Sequence, residues 1–405
     1  MTSQKNIFTS FKEIKIQSKG KKIFLFGVGN IAEKTIRKLD ESFSIVDNNS
    51  NLWNTSQCGV VVDKPDSLTK LQKIKPFIII CTTSFSHVVY QLENLGFRSG
   101  NDFAVSPILN DLRIISFLES CKKNLLFSSG APEQRSPNYG GGIYEIQVDG
   151  DTWEYKKVYS GNCYGMIKKD DQTIISDHIK VIVSLDKNYN ITKSSDFFHG
   201  TRVHGIAYSD ITQNYYVAAC ELDKILILDK NFKIIASIPL SSKYEKEKSA
   251  CHHCNDVCVV GHSLYVSMFS ATGNWKRDIY DGVVIEIDIE SHEILGVVIS
   301  GLWMPHNISF FNGSLVVLDS LRGELKKNNA QVVGKFPGFT RGIDFDGVLF
   351  FIGQSRNRNF SKYIGLSRNI SIDTSVIIFD EDTKVSRSLQ LPSKISEIHS
   401  ILLKE

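Results

Sequence analysis

One short pattern recurs six times in the last two thirds of the chain: a hydrophobic strand that opens beside a polar residue. The copies are Tyr164-Gly165-Met166-Ile167, Val203-His204-Gly205-Ile206, His253-Cys254-Asn255-Asp256, Pro305-His306-Asn307-Ile308, Thr340-Arg341-Gly342-Ile343 and Ile398-His399-Ser400-Ile401. A turn and a second strand follow, as in Gly261–Val266 and Asn312–Val317. Hairpins then come at Ile143–Tyr155, Lys180–Ile191, Lys224–Ile235, Val283–Leu295, Gly323–Val333 and Val376–Leu389. A repeat of roughly 35–55 residues built from four short strands is a propeller blade. Six hairpins and six opening strands predict six blades. The last opening strand, Ile398–Leu403, has no hairpin after it, and the hairpin at Ile143 has no opening strand of its own. The chain end is therefore expected to close the ring with the blade that begins near Leu125, which removes the exposed sheet edges.

The first strand of each propeller blade lines the central channel, so the repeat gathers His204, His253, His306, Arg341 and His399 around one axis. His204, His253, His306 and Arg341 are the candidate catalytic residues. Neutral imidazole suits a transition metal, and Asn or Asp oxygens suit harder ions. His204, His253, Asn255, Asp256, His306 and His399 are thus the candidate ligands of a divalent metal in the channel. Arg341 is placed to clamp a carboxylate or phosphate. The alternative is that these residues hold ordered water and cap the strands. Glu397 lies beside the channel and is either a general base or an exposed strand-end carboxylate. Cys251-His252-His253-Cys254 with Cys258 lacks the second pair that a closed zinc site needs. Arg356 and Arg358, in Ser355-Arg356-Asn357-Arg358, either reach an anionic substrate or stay solvated.

Residues 21–122 alternate strand and helix, after an N-terminal arm of residues 1–20 and before a propeller spanning 124–405. Lys22–Phe26, Phe43–Val46 and Phe77–Cys81 are buried strands, and a helix over Pro107–Lys122 ends the segment. The pattern predicts an α/β Rossmann-like domain with a parallel sheet. The turn Gly27-x-Gly29-x-x-Ala32 follows a strand and opens a helix, and Asp47 lies where an acid meets a ribose hydroxyl. Gly27, Gly29, Ala32 and Asp47 are therefore the candidate contacts for NAD or a nucleotide-sugar. The alternative is a scaffold whose glycine turn packs but binds no dinucleotide.

Composition narrows the field. The chain is 42% hydrophobic and 22% charged with a net charge of +3, too little for a nucleic-acid track. No apolar run is long enough to span a membrane, and Met-Thr-Ser-Gln-Lys-Asn starts no secretory signal. Eight cysteines, most inside hydrophobic strands, form no disulfide framework, so a reducing cytoplasm is the expected compartment. No Gly-x-Ser-x-Gly elbow, His-Glu-x-x-His helix or Walker loop occurs.

Two resemblances add to this reading. Phe24-Leu-Phe-Gly-Val-Gly-Asn-Ile-Ala32, Ile45-Val-Asp-Asn-Asn49, Gly59-Val-Val-Val62 and Ile78-Ile-Ile-Cys-Thr-Thr83 resemble the small Rossmann-like domain of surface-polysaccharide biosynthesis proteins. That resemblance implies a nucleotide or nucleotide-sugar ligand. Gly301-Leu-Trp-Met-Pro-His-Asn307, Leu318–Leu325, Phe336-Pro-Gly-Phe-Thr-Arg-Gly342 and Phe351-Ile-Gly-Gln-Ser-Arg356 resemble the DUF4915 propeller family over residues 124–405. His253-x-Asn255-Asp256 and Ser396-Glu-Ile-His399 continue that match, although many members carry Tyr at the last position. With the His and Asn/Asp residues gathered around the axis, the expectation is an enzyme of surface-glycan biosynthesis that works on a sugar or nucleotide-sugar by metal-assisted isomerase, epimerase or lyase chemistry. A non-catalytic propeller that binds a partner, with a nucleotide-sensing first domain, is the competing expectation.

Overall fold

A computed structural model describes residues 7–39, 41–130, 140–196, 198, 200–328, 331–357 and 369–404. The chain divides into two compact units, Met1–Phe117 and Leu118–Glu405, a few residues before the expected boundary.

The first unit holds a mixed sheet of six strands in the order Ser56–Gln57, Val60–Asp63, Phe43–Val46, Ile23–Phe26, Phe77–Ile80 and Phe103–Val105. The last five run parallel, and the edge strand Ser56–Gln57 is antiparallel to its neighbour. Ile23–Phe26 and Phe77–Ile80 are buried at every position, as central strands covered on both faces must be. Their side chains alternate between two cores. Phe24, Phe26, Ile78 and Ile80 pack with Val88 and Leu92 of the helix Phe85–Asn94. Ile23, Leu25, Phe77 and Ile79 pack with Ala32 of the helix Asn30–Ile36.

The second unit is a ring of six four-stranded antiparallel sheets. Five blades follow in chain order, spanning Cys163–Ser194, Val203–Pro239, Cys254–Leu302, Pro305–Lys335 and Phe339–Gln390. The sixth is composite: Ser400–Lys404 pairs antiparallel with Lys122–Ser129, which continues into Gly142–Asp149 and Thr152–Tyr159. The propeller is therefore six-bladed, and its last strand shuts the ring. Its apolar clusters lie between neighbouring blades; one joins Tyr216, Ile225 and Ile227 to Val257, Leu264 and Val266.

The two ends of this ring differ. At the end where the inner strands finish, tight turns such as 150–151, 170–171 and 261–262 join the strands. At the end where they begin lie the longer connections 240–253, 269–281 and 391–399. Loops carry function on a rigid scaffold, so the second end is the one to inspect.

Candidate functional site

Five inner strands carry an irregularity at their start. Their pairing jumps between Cys163 and Met166, Val203 and Ile206, Cys254 and Asp256, His306 and Ile308, and Thr340 and Ile343. A bulge re-aims side chains. Aligning Met166, Ile206, Ile308 and Ile343, where four of these ladders resume, with Val257 and Ile401 of the other two strands sets two positions of every strand in register.

The position just before these aligned residues is Gly165, Gly205, Asp256, Asn307, Gly342 and Ser400, a belt in which each strand touches the next. A Cβ on Gly205 would lie 2.0 Å from Asp256 Oδ1, and one on Gly165 2.5 Å from the His204 carbonyl oxygen. Asp256 accepts the Asn307 amide at 2.9 Å, Asn307 accepts the Gly342 amide, and Asn307 Nδ2 donates to the His399 carbonyl at 3.1 Å. A Cβ on Gly342 would be 3.0 Å from the Ser400 carbonyl carbon, and Ser400 Oγ lies 3.4 Å from the Met166 carbonyl. Strands crowd at the axis here, so only glycine or a bridging side chain fits.

One residue earlier stands a second ring: Tyr164, His204, Asn255, His306, Arg341 and His399. Its centre is polar and nearly dry. His204, Asn255, His306 and His399 are 6, 4, 3 and 8% exposed. Tyr164 stacks on His204 with ring centroids 4.5 Å apart and meets His399 at 4.4 Å. His306 Nδ1 lies 2.9 Å from the Met304 carbonyl and 2.8 Å from Ser320 Oγ. A carbonyl only accepts, so Nδ1 carries the hydrogen and the Nε2 lone pair takes Arg341 Nε–H at 3.2 Å. Arg341 also reaches Glu397 Oε2 at 3.5 Å, and the same oxygen accepts from His399 Nε2 at 2.8 Å. Arg341 thus links His306 to a Glu397–His399 pair.

Electrostatics keep most of these imidazoles neutral. Burial, then His253 and Arg202, holds His204 well below the usual histidine range. Burial, then Arg341, does the same to His306. His253 is pushed down to about 3 by burial, with Arg202 and Arg341 adding to it. Tyr164 is raised by burial. Two buried polar atoms of the ring, His204 Nε2 and Asn255 Nδ2, have no hydrogen-bond partner among the described residues, and they belong to neighbouring strands.

The structure brings together His204, His306, Arg341, His399 and Asn255 from the sequence reading, and it separates two others. His253 precedes its strand with φ of 51°; its ring packs on Phe269 at 4.3 Å and Trp275 at 4.9 Å and meets His204 edge-on at 5.8 Å. Asn255, not His253, holds the register of His204. Asp256 belongs to the belt, where both carboxylate oxygens accept backbone amides, from Val257 and Asn307. Nor do the expected ligands come together as a metal set. Among the described residues no group of three or more His, Cys, Asp or Glu is placed to hold a metal ion. His306 uses both ring nitrogens on protein partners, so this donor set does not fit the expected ion.

Tyr164 is the residue to add, and Glu397 is buried at 5% exposure beside the ring, not an exposed strand-end carboxylate. Tyr164 was visible as the ring position of the first repeat, two before Met166. Arg356 points its guanidinium at the Ser393 carbonyl, 3.5 Å away, and Arg358 lies outside the described residues. Cys251 contacts Glu247 and His252 bonds Ser241, so this cysteine–histidine run is dispersed.

In the first unit, Gly27 has φ of 111° and a Cβ there would sit 3.1 Å from the Cys81 carbonyl oxygen. Gly29, at φ of 108°, has no atom within 4 Å of such a Cβ. Ala32 is buried in the core behind the turn. Asp47 Oδ2 accepts the Val28 amide at 3.0 Å and Oδ1 the Asn49 amide at 2.8 Å, tying the acid to the glycine turn.

The family described as "Domain of unknown function (DUF4915)" matches residues 154–404. Among curated proteins no sequence match is found. Similar solved structures include a chain of the nidogen/laminin complex, at 13% identity over 69% of this chain and 97% of that one, with a TM-score of 0.49. Virginiamycin B lyase from Staphylococcus aureus matches at 10% identity over 68% and 87%, with a TM-score of 0.42. The calcium-binding protein regucalcin from Agrobacterium tumefaciens matches at 11% over 57% and 75%, with a TM-score of 0.41. None of these likenesses carries an argument about activity.

Proposed function

The chain belongs to the DUF4915 family, and on that premise we propose that it is a surface-glycan biosynthesis enzyme that transfers a proton on a sugar or nucleotide-sugar at the ring of its channel. The observation that carries this reading is the pair of buried, unpartnered atoms His204 Nε2 and Asn255 Nδ2 beside the Arg341–Glu397–His399 chain. A buried polar atom without a partner costs roughly 1–3 kcal/mol, and a ligand hydroxyl repays it. One sugar hydroxyl accepts from Asn255 Nδ2 and donates to the neutral His204 Nε2 at once. His399 is the proton carrier. Glu397 holds its Nε2–H, which orients the ring and strengthens Nδ1 as a base. Arg341 stabilises negative charge that develops on the substrate.

The first unit supplies the sugar-nucleotide part of the proposal. Open space at Gly29 supports close approach of a pyrophosphate, and Asp47, held beside the turn by the Val28 and Asn49 amides, supports contact with a ribose hydroxyl. NAD or a nucleotide-sugar would be held by Gly27, Gly29 and Asp47, with Ala32 packing behind them. The second reading is a binding module, and the tight burial of His306 with both nitrogens bonded favours it.

The test is solvent exchange. The protein is incubated in D2O with a panel of sugars and nucleotide-sugars, and mass spectrometry reads deuterium uptake or product. Uptake into one of them, falling by about 100-fold or more in Glu397→Gln and in His204→Ala, is expected for a lost acid–base group. Exchange that persists in both variants, or exchange with no sugar at all while binding remains, assigns the ring to recognition instead.

A further inference from the structure

The outermost strand of the closing blade, Thr152–Tyr159, reads Thr-Trp-Glu-Tyr-Lys-Lys-Val-Tyr. Alternation puts Trp153, Tyr155 and Lys157 on one face, about 7 Å apart in succession. They pair with Val148, Ile146 and Tyr144, whose side chains are buried. The row thus runs beside buried apolar side chains of the neighbouring strand, and Tyr155 remains 36% exposed. Arg387 sits over the Trp153 ring at 5.9 Å and steadies it. Lys157 Nζ lies 5.3 Å above the Tyr144 ring. Lys156, on the opposite face, is spent on Glu145 at 2.7 Å.

This row lines a cavity of about 820 Å³ together with Ser160 and Lys394, and Glu154 and Lys156 border it as well. Aromatic rings together with Lys157 and Lys394 make an amphipathic groove. We propose that the groove binds an acidic oligosaccharide, its pyranose rings on Trp153 and Tyr155 and its carboxylate or phosphate at Lys157 and Lys394. The lysines already feel each other: burial, and then the charge of Lys394, lowers the Lys157 pKa. An anion between them relieves that repulsion. The inference stands apart from the proposed reaction, because none of these residues belongs to the channel ring.

Titration of the full chain with trigalacturonate, followed by tryptophan fluorescence, tests it, with maltotriose as the neutral counterpart and inorganic phosphate as the bare anion. Trigalacturonate is expected to bind at least about tenfold more tightly than maltotriose. The Lys157→Ser/Lys394→Ser double variant should remove that preference, and Tyr155→Ser should weaken both sugars about tenfold without moving the thermal midpoint. No binding of trigalacturonate, equal affinity for the neutral sugar, or affinity untouched by these variants overturns the proposal. Phosphate binding that ignores Tyr155→Ser, with no gain from the sugar, reduces the groove to an anion site and overturns it as well. Solvent exchange at the ring would be unaffected by any of these outcomes.

Discussion

The Met304 carbonyl decides what His306 can do. Because it can only accept, it fixes the hydrogen on Nδ1 and leaves Nε2 to Arg341, so a protonated His306 would turn a second N–H toward a guanidinium. Burial opposes the same charge at His204 and His253. Nitrogen-15 spectra at pH 5 should therefore show His306 neutral and hydrogen-bearing at Nδ1, and His253 neutral as well, whereas an ordinary histidine is mostly charged there. An Nε2-H signal for His306, or a cationic His253, would overturn this account of the ring. The thermodynamic sign follows. In the unfolded chain each imidazole takes a proton near pH 6.5, but in the folded chain only far lower, for His253 at about 3. Unfolding therefore takes up protons, and their contribution to stability shrinks as pH falls below about 6.5, by about 1.4 kcal/mol per unit for each group.

At the scale of elements, the bulged start of each inner strand decides which residues meet, and it also limited what the sequence could reveal. Strand count, hairpin turns and ring closure depend on alternation and turn residues, and those were legible. Register at the axis was not, because a bulge hides an extra residue from simple alternation, and a slip by one moves every side chain to the other face. Pairing His253 with His204 by residue type placed Asp256 in the site; aligning Val257 with Ile206 places Asn255 there and Asp256 in the belt. The serines that brace the ring, Ser128 and Ser176 of second strands on the Tyr164 and His204 carbonyls and Ser320, just after a second strand, on His306, had no sequence signature. The belt makes its own prediction. Burial lifts the Asp256 carboxyl to about 7, against the pull of the Val257 and Asn307 amides. This acid is protonated when folded and ionised when unfolded between about pH 4 and pH 7, so its contribution is full below that window and lost as pH rises through it. Urea unfolding of wild type and Asp256→Asn at pH 5 and pH 8 should show wild type losing on the order of 2 kcal/mol relative to the variant. A stability difference that does not change with pH would mean that Asp256 is ionised throughout.

For the whole molecule, the ring depends on a strand contributed by the end of the chain. Ser400–Lys404 pairs with Asn124–Ser128, and Ile398 and Ile401 are buried beside it. The same segment delivers Glu397 and His399 to the site and presents Asn307 with the His399 carbonyl. Closing the propeller and completing the ring are thus one event, and neither is expected without the other. Burying two isoleucines contributes roughly 1.5–3 kcal/mol each, and five ladder pairs add to that. The sum is comparable with the roughly 5–15 kcal/mol that stabilises an ordinary domain. A chain ending at Gln390 should therefore lose cooperative thermal unfolding. It should also self-associate on size-exclusion chromatography through the bare edge of Lys122–Ser129, since an unpaired edge recruits other strands. A peptide covering residues 391–405, added in trans, should restore the monomer and the histidine spectra together. A truncated chain that stays monomeric with an unchanged midpoint would show that five blades stand alone and that the last strand serves only the site.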